Sequence, residues 1–279
     1  MTDLAPLFAH AGANTSDWEL PALPGRAMKL HSARPARITK NTPILFVHHG
    51  MGRNGDEYRD YWLPLVDEAD VMAIAPEFPT AGFPGAEPYN FGNRIVPDGA
   101  LTPRSEWTYN VDQIVFAGLH AQGLTNRSRY GLFGHSAGSQ FVQRMIALGF
   151  RGQVAAAVAA NAGSYAMADL DIAWPYGLGG CGLDAADLSA VLGFRLTIMA
   201  GTLDNDGTAA NVPNAPEALA QGPHRHARAH AFTARARAMA DSLGAVCAFT
   251  VLDVAGVGHS GELMSAAAAP ILSAALHAG

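Results

Sequence analysis

The sequence predicts an α/β protein, a mainly parallel twisted sheet with helices on both faces. Three observations point there. From residue 43 to the C-terminus, short apolar runs alternate with stretches whose apolar residues recur at helical spacing. Several runs, among them Pro43–His48, Val154–Ala160 and Leu196–Ala200, are continuously apolar, as strands buried on both faces must be. Of the 279 residues 49% are hydrophobic and only 15% charged, so the chain can bury a large core. Residues 1–279 are read as a single domain.

Residues 1–25 mix Pro, Gly, Asn and Ser with isolated aromatics and show no period, so they are expected to form an irregular arm. Ala27–His31 is a candidate edge strand, and Pro43–His48 the first buried one, ended by His49-Gly50. Asp56–Asp70 has the spacing of a helix, with Asp56 as N-cap and a break at Pro64. Val71–Ala75 is the next strand. It opens into an irregular stretch, residues 76–105, dense in Pro, Gly and aromatics, of the kind that belongs to a binding face. Ser105–Gln122 reads as a helix capped by Ser105.

The run Tyr130-Gly131-Leu132-Phe133 leads into Gly134-His135-Ser136-Ala137-Gly138 and then into a helix-like stretch from Gln140 to Ile146. This is a G-x-S-x-G pattern in the strand, sharp turn, helix setting that gives it meaning. Its glycines suit a strained turn in which flanking Cβ atoms would clash with the neighbouring strand and helix. The strand Val154–Ala160 opens into a second irregular segment, residues 161–183. A short helix over Asp184–Leu192 and the strand Leu196–Ala200 follow. His224–Leu243 is a long Ala- and Arg-rich helix stopped by Gly244. The strand Ala248–Val254, the loop Gly256–Gly261 and the helix Glu262–His277 close the chain.

The net charge of −6 provides no basic footprint, which argues against nucleic acid as a partner. No apolar run approaches the ~20 residues needed to cross a bilayer, so no membrane partner is expected. The start lacks a basic and an apolar signal region, and a cytoplasmic protein is expected. Cys181 and Cys247 show no metal-ligand spacing and are expected to be unbridged. His226 and His230 stand at i and i+4, but no glutamate lies between them as in a zinc-protease helix. They are read as a solvated face. No metal and no cofactor is expected.

Parallel sheets place their chemistry at the carboxyl ends of the strands. A serine hydroxyl needs a base within hydrogen-bond reach, and the base needs a carboxylate that fixes its tautomer. Ser136 is the candidate nucleophile, and His259 the candidate base in the loop after the last strand. Asp204 is the candidate acid, preferred over Asp206 because it sits in the first tight turn after its strand. The oxyanion hole is assigned to the backbone N–H groups of Ala137 and Met51, with Gly52 as the alternative to Met51. Tyr89, Phe91, Trp174 and Tyr176 are candidates for an acyl or aryl pocket.

On His49-Gly50, the Gly134–Gly138 turn, Gly201-Thr202-Leu203-Asp204 and Gly256-Val257-Gly258-His259, the chain resembles an α/β-hydrolase serine esterase. More narrowly, it is similar to the poly(3-hydroxyalkanoate) depolymerase and feruloyl-esterase-like branch, over Pro43 to the C-terminus. The resemblance implies the α/β-hydrolase fold and the roles already assigned to Ser136, Asp204 and His259. The expected function is hydrolysis of carboxylic esters through an acyl-enzyme, on a small-molecule or oligomeric hydroxyalkanoate, polyester-like or aryl ester. The alternatives are an amidase or peptidase on the same scaffold and a non-catalytic binding protein with this fold. Activity should rise with pH as His259 loses its proton.

Overall fold

The computed structural model of the protein describes residues 2–96 and 99–278. Among them, eight strands form one sheet: β1 (Gly12–Glu19), β2 (Ala27–Arg34), β3 (Ile44–His48), β4 (Met72–Glu77), β5 (Tyr130–His135), β6 (Val154–Ala160), β7 (Leu196–Gly201) and β8 (Thr250–Val254). Their spatial order is β1-β2-β4-β3-β5-β6-β7-β8. Pairing is parallel from β4 through β8 and antiparallel only for β1 with β2 and β2 with β4. The helices are α1 (Gly55–Trp62), α2 (Val66–Ala69), α3 (Val111–Ala121), α4 (Ala137–Ala147), α5 (Ala185–Leu192), α6 (Pro216–Leu219), α7 (Arg225–Leu243) and α8 (Gly261–His277).

The two-residue period of the buried strands divides the core in two. Ile44 and Phe46 of β3 join the cluster that holds α3, α4, α5 and α7. Leu45 and Val47 join the cluster under α1 and α8. Both sides of β3 and β5 are thus covered, and every residue of these two strands is buried. The expected mainly parallel sheet with helices on both faces is what the chain forms.

The N-terminal segment is a correction. Residues 1–25 are not an irregular arm: they hold a 3₁₀ turn at Ala5–Phe8 and then β1, which pairs along its whole length with β2. β1 lies at the sheet edge and buries only Asn14 and Trp18, so neither composition nor alternation marks it. The helix at Asp56 starts one residue earlier, with Asn54 at the N-cap position, and it breaks at Pro64 as expected. Its first residue, Gly55, leaves no room for a side chain, since a Cβ there would lie 2.8 Å from that of Glu77.

The helix read from Ser105 begins only at Val111. Residues 104–110 form two 3₁₀ turns instead, because the Asn110 amide donates to the carbonyls of Arg104 and Trp107 and competes with helical bonding. α5 begins at Ala185, with Asp184 as its N-cap, and α7 ends on Gly244 in the left-handed conformation. The segments 76–105 and 161–183 are irregular beyond Glu77, with positions 97 and 98 of the first outside the described residues. Cys181 and Cys247 are both free. No helix among the described residues is long and apolar enough to cross a membrane.

Candidate active site

Ser136 sits between β5 and α4 at φ 57° and ψ −115°, a backbone region that a residue with a side chain enters only under strain. The flanking glycines make the turn possible. A Cβ on Gly134 would lie 2.2 Å from the Gly138 carbonyl oxygen, and one on Gly138 would lie 2.1 Å from that of His48. The turn is tied into the sheet by the Ser136 N–H, which donates to the Ala160 carbonyl at 2.9 Å.

Three side chains meet here. Ser136 Oγ lies 3.0 Å from His259 Nε2, and His259 Nδ1 lies 2.7 Å from Asp204 Oδ2. The second oxygen of Asp204 accepts from Arg225 Nη1 at 3.1 Å, and both members of that pair are buried. With a proton on Nδ1 held by the carboxylate, Nε2 can accept the serine proton. Asp206, the other acid considered, is fully exposed. Its carboxylate takes hydrogen bonds from the Thr208 hydroxyl and N–H, which hold it below the usual carboxylate range.

Several supporting residues had not been singled out from sequence. Asn161, at φ 51° just past β6, accepts from the Gly201 N–H at 2.8 Å and donates to the Gly258 carbonyl at 3.0 Å. It joins the turn that carries Asp204 to the loop that carries His259. Its only sequence signal is a polar residue ending an apolar strand. Arg225 gave none, being one of several arginines in its helix.

His49 is fully buried, and burial pushes its pKa down to about 3. Its Nε2 accepts from the Phe78 N–H at 3.1 Å, so the proton is on Nδ1, which donates to the Gly50 carbonyl at 2.9 Å. The Arg53 N–H also reaches that carbonyl. Gly50 C=O and Met51 N–H share one trans peptide, so anchoring the carbonyl aims the N–H the opposite way.

The Tyr58 hydroxyl lies 2.7 Å from His135 Nδ1. The His135 ring packs at 4.6 Å from that of His259. Burial, and then the neighbouring His259, hold His135 in its neutral form.

An open cleft of about 230 Å³ runs over Ser136 and His259 and is lined also by Met51, Asn54, Tyr58, Tyr61 and Asn211. None of the four aromatics assigned to an acyl or aryl pocket lines it. Tyr89 is wholly buried, its hydroxyl donating to the His49 carbonyl at 2.6 Å and its ring lying 4.7 Å from Phe78. Phe91 and Trp174 face the buried guanidinium of Arg144, which also donates to the Pro175 carbonyl beside Tyr176. The rings of Phe91 and Trp174 thus join the two irregular segments to α4, and they are half-buried, as is Tyr176. A sequence cannot distinguish these uses, since both call for large apolar side chains in loops.

The sheet order, with a strained serine turn after β5, defines an α/β hydrolase. Neither a family model nor a curated protein matches the chain, but solved structures do. Poly(aspartic acid) hydrolase-1 from Sphingomonas sp. KT-1 is 38% identical, with a TM-score of 0.90 over 94% of this chain and 99% of that one. A poly(3-hydroxybutyrate) depolymerase from Bordetella parapertussis is 35% identical, with a TM-score of 0.91 over 96% and 92%. An S-formylglutathione hydrolase from Agrobacterium tumefaciens, 16% identical at a TM-score of 0.61 over 95% and 94%, shares the fold. The chain belongs to the esterase and depolymerase branch of the α/β-hydrolase fold, and it is a carboxylic ester hydrolase.

Proposed function

We propose that Ser136 is the nucleophile, His259 the general base and Asp204 the acid that orients it. The observation that carries this reading is the hydrogen-bonded chain from Ser136 through His259 to Asp204, at 3.0 and 2.7 Å, beside a strained serine backbone. His259 takes the Ser136 proton as Oγ attacks the ester carbonyl, and the oxyanion is met by the N–H groups of Ala137 and Met51. The anchored Gly50 carbonyl supports Met51 over Gly52. The imidazolium then protonates the leaving alkoxide. Water, deprotonated by His259, attacks the acyl-enzyme and releases the acid with Ser136 restored.

The substrate we propose is a neutral ester, hydroxyalkanoate-like and small or oligomeric. Among the described residues no lysine or arginine lines the cleft, so a polyanionic chain would meet no compensating charge beside Ser136. Arg53 lines the adjoining cavity of about 230 Å³ that shares Met51, and its guanidinium already donates to the carbonyls of Phe78 and Gly85. One observation favours a second reading, an amidase: the 38% identical neighbour is named for poly(aspartic acid), whose backbone is a polyamide.

The test compares matched 3-hydroxybutyrate ester and aspartyl amide oligomers, with Ser136→Ala as control. Ester cleavage should dominate, and the alanine variant should lose about 10⁴-fold or more in kcat while staying folded. Amide cleavage exceeding ester cleavage would establish the second reading. Full activity in Ser136→Ala would overturn both.

A further inference from the structure

α7 and β8 create a second convergence of side chains, outside the cleft. His226 and His230 lie one helical turn apart on α7, with ring centroids 4.8 Å apart. Asp253, on the exposed edge strand β8, faces them. Its Oδ1 is 3.0 Å from His226 Nε2 and 2.8 Å from His230 Nε2. The three donor atoms all lie within 4.8 Å of one another, and no other group of three His, Cys, Asp or Glu residues converges so among the described residues. The remaining histidine–carboxylate pairs, such as His31 with Glu77, His48 with Asp112 and His277 with Asp70, match one ring to one carboxylate.

We infer that His226, His230 and Asp253 form a binding site for a divalent transition metal ion of the zinc class. Two imidazoles and a carboxylate suit such an ion and do not suit magnesium or calcium, which prefer oxygen ligands throughout. Bonds of 2.0–2.2 Å in a tetrahedral shell space ligand atoms about 3.3 Å apart, so the two oxygen–nitrogen distances open by a few tenths of an ångström and the two imidazole nitrogens, within 4.8 Å of each other, settle to the same spacing through side-chain rotation. The site is open on one side, with about 42% of the His230 side chain and 47% of Asp253 exposed, leaving a coordination position for water. The histidine spacing alone read as a solvated face. Asp253, 23 residues beyond His230, supplies the third donor only through the fold.

The location links the site to the cleft. The His226 N–H donates to the Asp204 carbonyl, its neighbour Arg225 pairs with the Asp204 carboxylate, and β8 leads directly into the loop that carries His259. A bound ion would fasten α7 to β8 beneath the acid and base loops. It would add stability and take no part in the reaction.

Isothermal titration of the chelator-treated full chain with Zn²⁺ tests this, alongside Mg²⁺ as a probe, with thermal unfolding as the second readout. The expected result is one Zn²⁺ per chain, no binding of Mg²⁺ and a raised Tm. Affinity should fall at least about tenfold in His230→Ala and in Asp253→Asn, both retaining wild-type ester hydrolysis without metal. His277→Ala should bind as the wild type does. Absence of saturable binding at millimolar Zn²⁺, or binding that survives intact in both His230→Ala and Asp253→Asn, would overturn the inference.

Discussion

Asp204 and Asp206 stand two residues apart, and their surroundings separate them. Asp204 is buried and spends one oxygen on His259 and the other on Arg225, whereas Asp206 closes an exposed turn on Thr208. Asp204→Asn should lower kcat by about 10⁴-fold, because an amide cannot hold the imidazole in the productive tautomer. Asp206→Asn should leave kcat within about twofold, as expected of a surface change. Steady-state kinetics on one soluble ester compares the two directly. Equal losses would contradict the assignment. The preference for Asp204 was legible in Gly201-Thr202-Leu203-Asp204, but Arg225, which holds its other oxygen, was not, since no local pattern distinguishes it from its helical neighbours.

The elements that carry the proposed nucleophile, acid and base are separate, and Asn161 couples two of them. Its side chain satisfies the Gly201 N–H at the end of β7 and the Gly258 carbonyl beside His259. Asn161→Ala leaves both groups without that partner, at an expected cost of about 2 kcal/mol in unfolding free energy. The base loop is then free to shift, and displacements near 1 Å cost about 10²-fold in rate. Urea unfolding and kcat measured on the same variant check both effects. A loss of stability with unchanged kcat would show that Asn161 supports the fold without positioning His259. The strand preceding it was legible to the residue, since β6 is the apolar run Val154–Ala160. Its connecting role was not, because Gly201 and Gly258 reach it only when three strands are side by side.

Across the whole molecule, buried neutral histidines make stability depend on pH. Burial lowers the His49 pKa from 6.5 to about 3, so the folded state leaves it uncharged at pH 5 while the unfolded chain protonates it. The unfolded state then binds more protons, and stability falls as pH drops below 6.5, continuing until the folded pKa near 3 is reached. Between pH 7 and pH 5, His49 alone should remove about 2 kcal/mol. His135, also held neutral by burial, acts in the same direction. Unfolding free energies of the wild type and His49→Gln at the two pH values isolate the effect, and the variant should lose less. A variant that loses as much as the wild type would mean that His49 is not the group responsible.

By itself the sequence determined the alternation of buried strands and helices, the Ser136 turn and the chain order of Ser136, Asp204 and His259. These depend on local periodicity and on glycines whose need is local: at Gly134 and Gly138 a Cβ has no room. Tertiary structure decided the rest. β1 became a strand through its pairing with β2, Tyr89 became a buried support for His49, and Asp253 came to face His226 and His230. In each case the deciding partner is remote along the chain or lacks any periodic signal, and only the packing of the sheet and its helices brings the two together.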